Sequence, residues 1–286
     1  MRGVRVRATT ALLIAVAAGC GTGDGDVVVG GTAPATPYDG LLHLPVKEVD
    51  VDDEDGRAGL LDSGAAARAL ECEAEIYTAG GSDPWSEGDG GATPEDGLRA
   101  YFAMEQPEVP ERGYRVEREE AGRVLYSYDV GGRTKVAVIV AKDREDRPGW
   151  GPETSASCDP AELPASWTDS KGYEVWTDRD GDRVPVAVVS SAVGAAHCDW
   201  QSAHFLGLGE GRDARTYARD PQGVLGPETL TGRYDGDATL PAGARDSGYR
   251  LDDWRLWLTD DPARVYVRTP DGVEAWPRVR QGGLCK

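Results

Sequence analysis

The sequence predicts an α+β fold, mainly antiparallel β: two small disulfide-stapled domains behind a signal peptide and a disordered linker. Three observations lead there. An uncharged apolar stretch ends in Val16-Ala-Ala-Gly-Cys20, four cysteines remain beyond Cys20, and period-two segments dominate the chain after Pro110.

At the N-terminus Arg2, Arg5 and Arg7 precede Ala8 to Gly19, which carries Leu12, Leu13, Ile14 and Val16 and no charge. That is the layout of a secretory signal, residues 1–19. The stretch has 12 residues, whereas a helix crossing the bilayer needs about 20, so cleavage is expected and not a permanent span. Val16-Ala-Ala-Gly-Cys20 resembles the bacterial lipobox, with Ala17 where Leu is commoner. Small residues admit the peptidase to the backbone, and the Cys20 thiol accepts a diacylglycerol. Each buried CH₂ contributes about 0.8 kcal/mol, so several acyl chains together hold a protein firmly. The expectation is lipidation at Cys20 and a place on the outer face of the cell membrane. A secreted protein with a coincidental cysteine is the alternative.

Beyond Cys20 stand Cys72, Cys158, Cys198 and Cys285, an even number for an oxidising compartment. Four cysteines allow three pairings. The separations Cys72 to Cys158 and Cys198 to Cys285, 86 and 87 residues, hint at sequential closure of two segments of nearly equal length. No two cysteines are spaced by two to four residues as zinc ligands would be, and the sequence predicts no metal site.

The formal charge is −19, and loss of Arg2, Arg5 and Arg7 with the leader takes it to −22. Nucleic-acid binding requires a cationic face that releases counterions from phosphates, and Lys and Arg form no cluster here. The same charge repels anionic head groups, so membrane contact is expected to run through the lipid anchor.

Residues 20–59 are rich in Gly, Thr, Pro and acid and end in Val49-Asp-Val-Asp-Asp-Glu-Asp-Gly56. Such a segment buries too little apolar surface to offset chain entropy and reads as a flexible acidic linker. Leu41, Leu42, Leu44 and Val46 are candidates for one short strand. The acidic run lacks the turn glycine and the terminal bidentate Glu of a calcium loop.

The first domain, 60–164, opens with a helix-compatible run from Ser63 to Ile76 and a Gly/Ser/Asp loop. Thr93-Pro-Glu-Asp96 then supplies an N-cap, a Pro at N1 and an acid at N3, with Leu98, Tyr101, Phe102 and Glu105 at helical spacing. After Pro110 the period falls to two: Tyr114 to Arg118, Arg123 to Val130 and Thr134 to Ala141 read as strands. Gly131-Gly132 turns between the last two, and Trp150 to Cys158 is a fourth strand.

The second domain, 165–286, is rich in strands. Glu174 to Thr177 and Arg183 to Val189 flank Asp178-Arg-Asp-Gly-Asp182, a hairpin turn; Arg183 and Val189 stand where a calcium loop wants Gly and Glu. Ala195 to Leu206 is helix-compatible around Cys198. Tyr249 to Leu258, Arg264 to Thr269 and Val273 to Pro277 read as strands, the last two joined by Pro270-Asp-Gly272. Gly113-Tyr-Arg115 with Trp150 and Cys158 is echoed by Gly248-Tyr-Arg250 with Trp276 and Cys285, which raises a duplication as a hypothesis.

Chemistry is sparse. No Gly-x-Ser-x-Gly, Ser-x-x-Lys or phosphate-cradling glycine loop occurs, no cofactor motif stands out, and the catalytic residues are unassigned. The densest polar cluster is His197, Asp199, Trp200 and His204, with packing as its plainer reading. Trp167, Trp176, Trp200, Trp254, Trp257 and Trp276 concentrate in the second domain, where they fill a sheet core or present a surface for sugar rings.

Four segments carry a resemblance: Cys158-Asp-Pro-Ala-Glu-Leu163, His197-Cys-Asp-Trp-Gln-Ser202, Tyr217-Ala-Arg-Asp-Pro-Gln-Gly-Val-Leu225 and Leu240-Pro-Ala-Gly-Ala-Arg-Asp-Ser-Gly-Tyr-Arg250. Together they resemble a group of secreted or lipid-anchored proteins of Streptomyces and related actinobacteria. The resemblance spans about Leu98 to Cys285 and implies the envelope setting; it supplies no activity, cofactor or catalytic residue. The expected role is a non-catalytic interaction module that holds an envelope protein or glycan near the membrane. The alternatives are an envelope hydrolase using carboxylates and a Trp-based carbohydrate-binding module.

Overall fold

The computed structural model describes residues 26–31, 34, 36–44 and 63–280. Cys20, Cys285, the leader and the run Val49 to Gly56 lie outside the described residues, as do the expectations placed on them. The described chain is mostly antiparallel β with few helices.

Its first half builds one five-stranded antiparallel sheet from β1 (Ile76–Gly81), β2 (Arg115–Glu120), β3 (Arg123–Val130), β4 (Arg133–Lys142) and β5 (Trp150–Cys158), in the order β1-β5-β4-β3-β2. Helix α1 (Gly64–Ala69) covers one face and α2 (Pro94–Glu105) the other. Alternation sorts the side chains. Val136, Val138 and Val140 join Leu98 and Tyr101 under α2, while Ala137 and Ile139 meet Ala65, Ala66 and Ala69 of α1. Because β4 is covered on both faces, it reads as a near-continuous apolar run. Gly131 and Gly132 both adopt positive φ between β3 and β4, as the tight hairpin requires. Thr93 and Asp96 close a capping box on α2: the Asp96 amide donates to Thr93 Oγ1 at 3.2 Å, and the Thr93 amide to Asp96 Oδ2 at 2.9 Å. Cys72 and Cys158 are joined in a disulfide, the first of the two sequential pairs.

Three expectations for this half change. The helix read from Ser63 to Ile76 stops at Ala69. Leu70 is extended, the Glu71 amide donates to Thr134 O at 2.9 Å, and the chain must turn to bring Cys72 to Cys158 before β1 begins. Strand β1 itself falls in the region read as helix and loop. The linker is also bound in its described part: Tyr114 N donates to Val27 O at 2.9 Å and Val29 N to Tyr114 O at 2.7 Å. Further on, the Tyr38 and Leu42 amides donate to Glu117 and Glu120. Leu42 is 2 % exposed and plugs the core under α1, with no strand around it. The segment thus pairs with the backbone of Tyr114, just before β2, and with two carboxylates of β2.

The second half holds two four-stranded antiparallel sheets, one of β6 (Glu174–Val175), β7 (Val189–Val193), β8 (His204–Leu208) and β9 (Arg215–Arg219). The other contains β10 (Arg245–Leu251), β11 (Trp254–Leu258), β12 (Arg264–Thr269) and β13 (Gly272–Pro277). They pack face to face over Trp176, Val189, Leu206, Tyr217, Leu256, Val265, Val267 and Trp276. Bridges at both edges, Thr177 to Arg250 and Tyr217 to Arg278, close the pair into a flattened eight-stranded barrel. Both edges are thereby paired.

Here too the sequence is partly overruled. Arg183 to Val188 gives only a bridge at Arg183, and the strand starts at Val189, because Pro185 has no amide to donate and its carbonyl turns the chain by accepting from Val188 and Val189. Tyr249 to Leu258 is a hairpin split at Asp252, whose φ of 49° lies in the left-handed region. Ala195 to Leu206 is not a helix. Asp199, also left-handed, ends a short turn, and His204-Phe-Leu-Gly-Leu208 alternates as β8. The duplication is not supported. Both sheets run as meanders, which hairpins give by default, but the first adds β1, and Trp150 opens its strand where Trp276 nearly closes its own.

Candidate functional site

Register places the polar residues of the barrel. Glu174 pairs with Ser191, Ser191 with Leu206 and Leu206 with Tyr217; the last two are core residues, so all four face inward. His204 and Arg219 are partners one inward row further along, at the same parity. From the other sheet Glu274, opposite the core residue Val267, and Trp276, opposite Val265, also point inward, as does Trp254 two residues before Leu256. Polar side chains thus point into the barrel beside its aliphatic and aromatic core.

The side chains form two connected groups. Trp176 Nε1 donates to Ser191 Oγ at 2.9 Å, Ser191 Oγ donates to Glu174 Oε2, and His204 Nε2 meets the same oxygen at 2.7 Å. Arg219 grips Glu274 through Nε and Nη2 at 2.8 and 3.0 Å, and Trp276 Nε1 donates to Glu274 Oε2 at 2.8 Å. The His204 ring lies between the groups, its centroid 5.2 Å from Trp254 and 5.9 Å from Trp276.

Above Glu174, His204 and Trp254 opens a cavity of about 640 Å³, also lined by Asp169, Tyr173, Thr177, Arg183, Asp252 and Asp253. That volume lies within the range of small-molecule sites. Its outer wall is α3 (Ala165–Lys171). Arg183 holds α3 by donating to Leu163 O and, at 2.7 Å, to Thr168 Oγ1, while Tyr173 Oη donates to Glu108 at 2.6 Å. Asp159, 1 % exposed, accepts from the Ala161, Val186 and Ala187 amides and pins this junction.

Burial pushes the Glu174 carboxyl up, but hydrogen bonds from His204 and Ser191, with the charge His204 carries when protonated, outweigh it and hold the group below its ordinary 4.5. A carboxyl depressed on folding adds stability above its unfolded value and loses it as pH falls through the folded one. Stability of the wild type should thus fall more steeply below about pH 4.5 than that of Glu174→Gln. Denaturation midpoints measured across that range check this; parallel curves would contradict it.

Ser191 is not set up as a nucleophile. Its oxygen lies between Trp176 and Glu174, and His204 reaches the carboxylate instead of the hydroxyl, so the relay needed to activate a serine is absent. What the arrangement does provide is a fixed carboxylate and an oriented imidazole at the floor of an open pocket.

Of the polar cluster singled out by sequence, the structure brings only His204 to this site. His197 and Asp199 are exposed on the turn before β8, and Trp200 packs against Phe205. Cys198 is disulfide-bonded, and its partner lies outside the described residues. The tryptophans divide: Trp176 and Trp276 are fully buried, Trp254 lines the cavity, and Trp257 faces outward beside Arg268. Sequence reasoning missed Glu174, Ser191, Asp252 and Asp253. The available signal was Glu174 sharing parity with Trp176, a charge on the core side of a strand. Elsewhere Cys72, Cys158 and Glu162 cluster with ligand-type atoms within 4.8 Å, but the sulfurs are joined to each other and offer no thiolate.

No helix among the described residues is long and apolar enough to cross a membrane. Compared with protein-family models, curated proteins and solved structures, the chain matches none.

Proposed function

We propose that the protein is a lipid-anchored binding module on the outer face of the cell membrane, and that its ligand enters the mouth of the barrel. In this reading residues 60–164 form a supporting domain and 165–286 the ligand-holding one, both disulfide-stapled and tethered through Cys20. The observation that carries it is the group of Glu174, His204 and Trp254 inside the barrel, directly below an open cavity. The lipobox-like segment and the resemblance to actinobacterial envelope proteins support the location. An envelope protein or a glycan remains the class of partner.

A specific observation favours a second reading, an envelope hydrolase: the Glu174–His204 pair is how a general base is oriented. The two separate by experiment. Immobilised full-length protein, exposed to a solubilised envelope fraction, should retain a component that folded Trp254→Ala does not, and release it chemically unchanged. Conversion of that component, abolished in Glu174→Gln, would replace the binding reading with the enzyme. A Cys20→Ser variant should leave the membrane fraction; unchanged retention there would end the tethered picture.

A further inference from the structure

Among the described residues, strand β1 forms a sheet edge that nothing guards. The barrel's edges are bridged. At the far side of the first sheet β2 carries Arg115, Glu117, Arg118, Glu119 and Glu120, and the segment from Val27 to Leu42 bonds to Tyr114, Glu117 and Glu120. Charges along an edge deter pairing with another chain. Ile76-Tyr-Thr-Ala-Gly-Gly81 has no charge and no proline.

The outer side of β1 is open. The Ser82 amide donates to Glu153 O at 2.9 Å, so the alternation of an antiparallel ladder turns the backbone groups of Thr78 and Gly80 toward β5 and those of Ala79 and Gly81 away from it. Among the described residues no backbone hydrogen bond reaches Ala79 or Gly81 from that outer side. A cavity of about 640 Å³ follows the strand from Tyr77 to Ser82, with Ser155 and Ser157 of β5 in its lining and Glu105 and Glu108 across from the strand. A Cβ placed on Gly80 would meet nothing within 4 Å, so the strand presents bare backbone there.

Donors and acceptors at every second residue of an edge are completed by another extended chain, whose main chain supplies the matching groups. Charge narrows the choice of chain. Glu105 and Glu108 line the cavity, no Lys or Arg does, and Glu75 and Asp83 stand exposed at the two ends of β1. A second copy fits badly. Antiparallel self-pairing over Tyr77 to Gly81 centres on Ala79 and sets Glu75 opposite the other copy's Asp83, twice over, and like charges opposed across strands are destabilising. We propose that β1 accepts an extended, basic segment of another protein as a sixth strand of its sheet. This site lies apart from the barrel mouth and goes beyond the reading given to it.

Three fluorescein-labelled peptides test this on the full-length protein by fluorescence anisotropy. They are Lys-Val-Thr-Val-Thr-Val-Lys, the same core with Glu at both ends, and Lys-Val-Thr-Pro-Pro-Val-Lys, whose adjacent prolines remove a ladder amide in either register. The first should bind at least about tenfold more tightly than the other two, and it should slow amide exchange at Ala79 and Gly81. Glu75→Lys combined with Asp83→Lys should weaken the lysine-ended peptide and strengthen the glutamate-ended one, a gain that misfolding cannot produce. Equal binding of the proline peptide, equal binding of the two charge forms, affinities unmoved by the double variant, or no binding of the first peptide overturns the proposal. So does a dimer in sedimentation whose Ala79 and Gly81 amides are protected without peptide, which gives the edge to a second copy. Trp85 packs on Gly151 and donates to Pro148 O, outside this cavity, so its indole stays a fixed reference when the barrel mouth is tested separately.

Discussion

Replacing both Cys72 and Cys158 by Ala should lower the stability of the five-stranded sheet by about 2–5 kcal/mol. The bond spans 86 residues and ties the stretch between α1 and β1 to the end of β5. Without it the unfolded chain recovers the loop entropy of that whole span, whereas the folded chain loses only a small contact around the fully buried Cys158. The double substitution is preferable to reductant because Cys198 is oxidised too. Among the described residues β1 has β5 as its sole strand neighbour, so it should fray first, with faster amide exchange at Thr78 to Gly81 than in β4. Urea denaturation measures the loss; a midpoint unchanged from the wild type would contradict it.

Arg115→Met should cost about 3–5 kcal/mol, because it strands buried charge. Arg115 is 4 % exposed; its guanidinium meets Asp129 at 2.5 and 3.2 Å and Glu117 at 3.3 Å, and Glu117 in turn accepts from Ser127 and Thr134. Met fills much of the arginine's volume but leaves two carboxylates facing each other without their cation. Combining it with Glu117→Gln and Asp129→Asn should restore much of the loss, since the penalty lies in the unpaired charges. A single variant as stable as the wild type would show the cluster to be better hydrated than its burial implies. Expected losses of this size are a large fraction of the 5–15 kcal/mol typical of a folded domain.

Elements with a strong local signature were legible in the sequence. The capping box at Thr93 and Asp96, the glycine pair of the β3–β4 hairpin and the runs of β3, β4, β5, β12 and β13 all carry their signal within a few residues. Elements determined by distant partners were not. Strand β1, with Gly80 and Gly81 at its end, has little intrinsic strand preference and exists because β5 lies beside it. Val27 to Val29 and Leu42 read as linker by average composition, yet each finds a place on the sheet 70 or more residues away. Helical spacing in Ala195 to Leu206 competed with alternation in His204 to Leu208. Pairing with β7 and β9 decided for the strand.

The site follows the same logic. His204 stood out as one of three histidines, but the residue that fixes its role, Glu174, lies 30 positions earlier in a strand of two residues. Asp252 and Asp253 read as the middle of a strand, and only the hairpin bend turns them into part of a cavity wall. Acids are so abundant here, 50 in the chain, that no single one is conspicuous without its neighbours in space.

Tryptophan indole resonances offer the most direct test of the barrel mouth. The chain has eight tryptophans, assignable by single Trp→Phe substitutions. On addition of a solubilised envelope fraction, the Trp254 indole should shift or broaden while that of Trp85, buried in the first half, stays fixed. A bound component that moves Trp85 or the outward-facing Trp257 and leaves Trp254 unchanged would place recognition elsewhere and contradict the account.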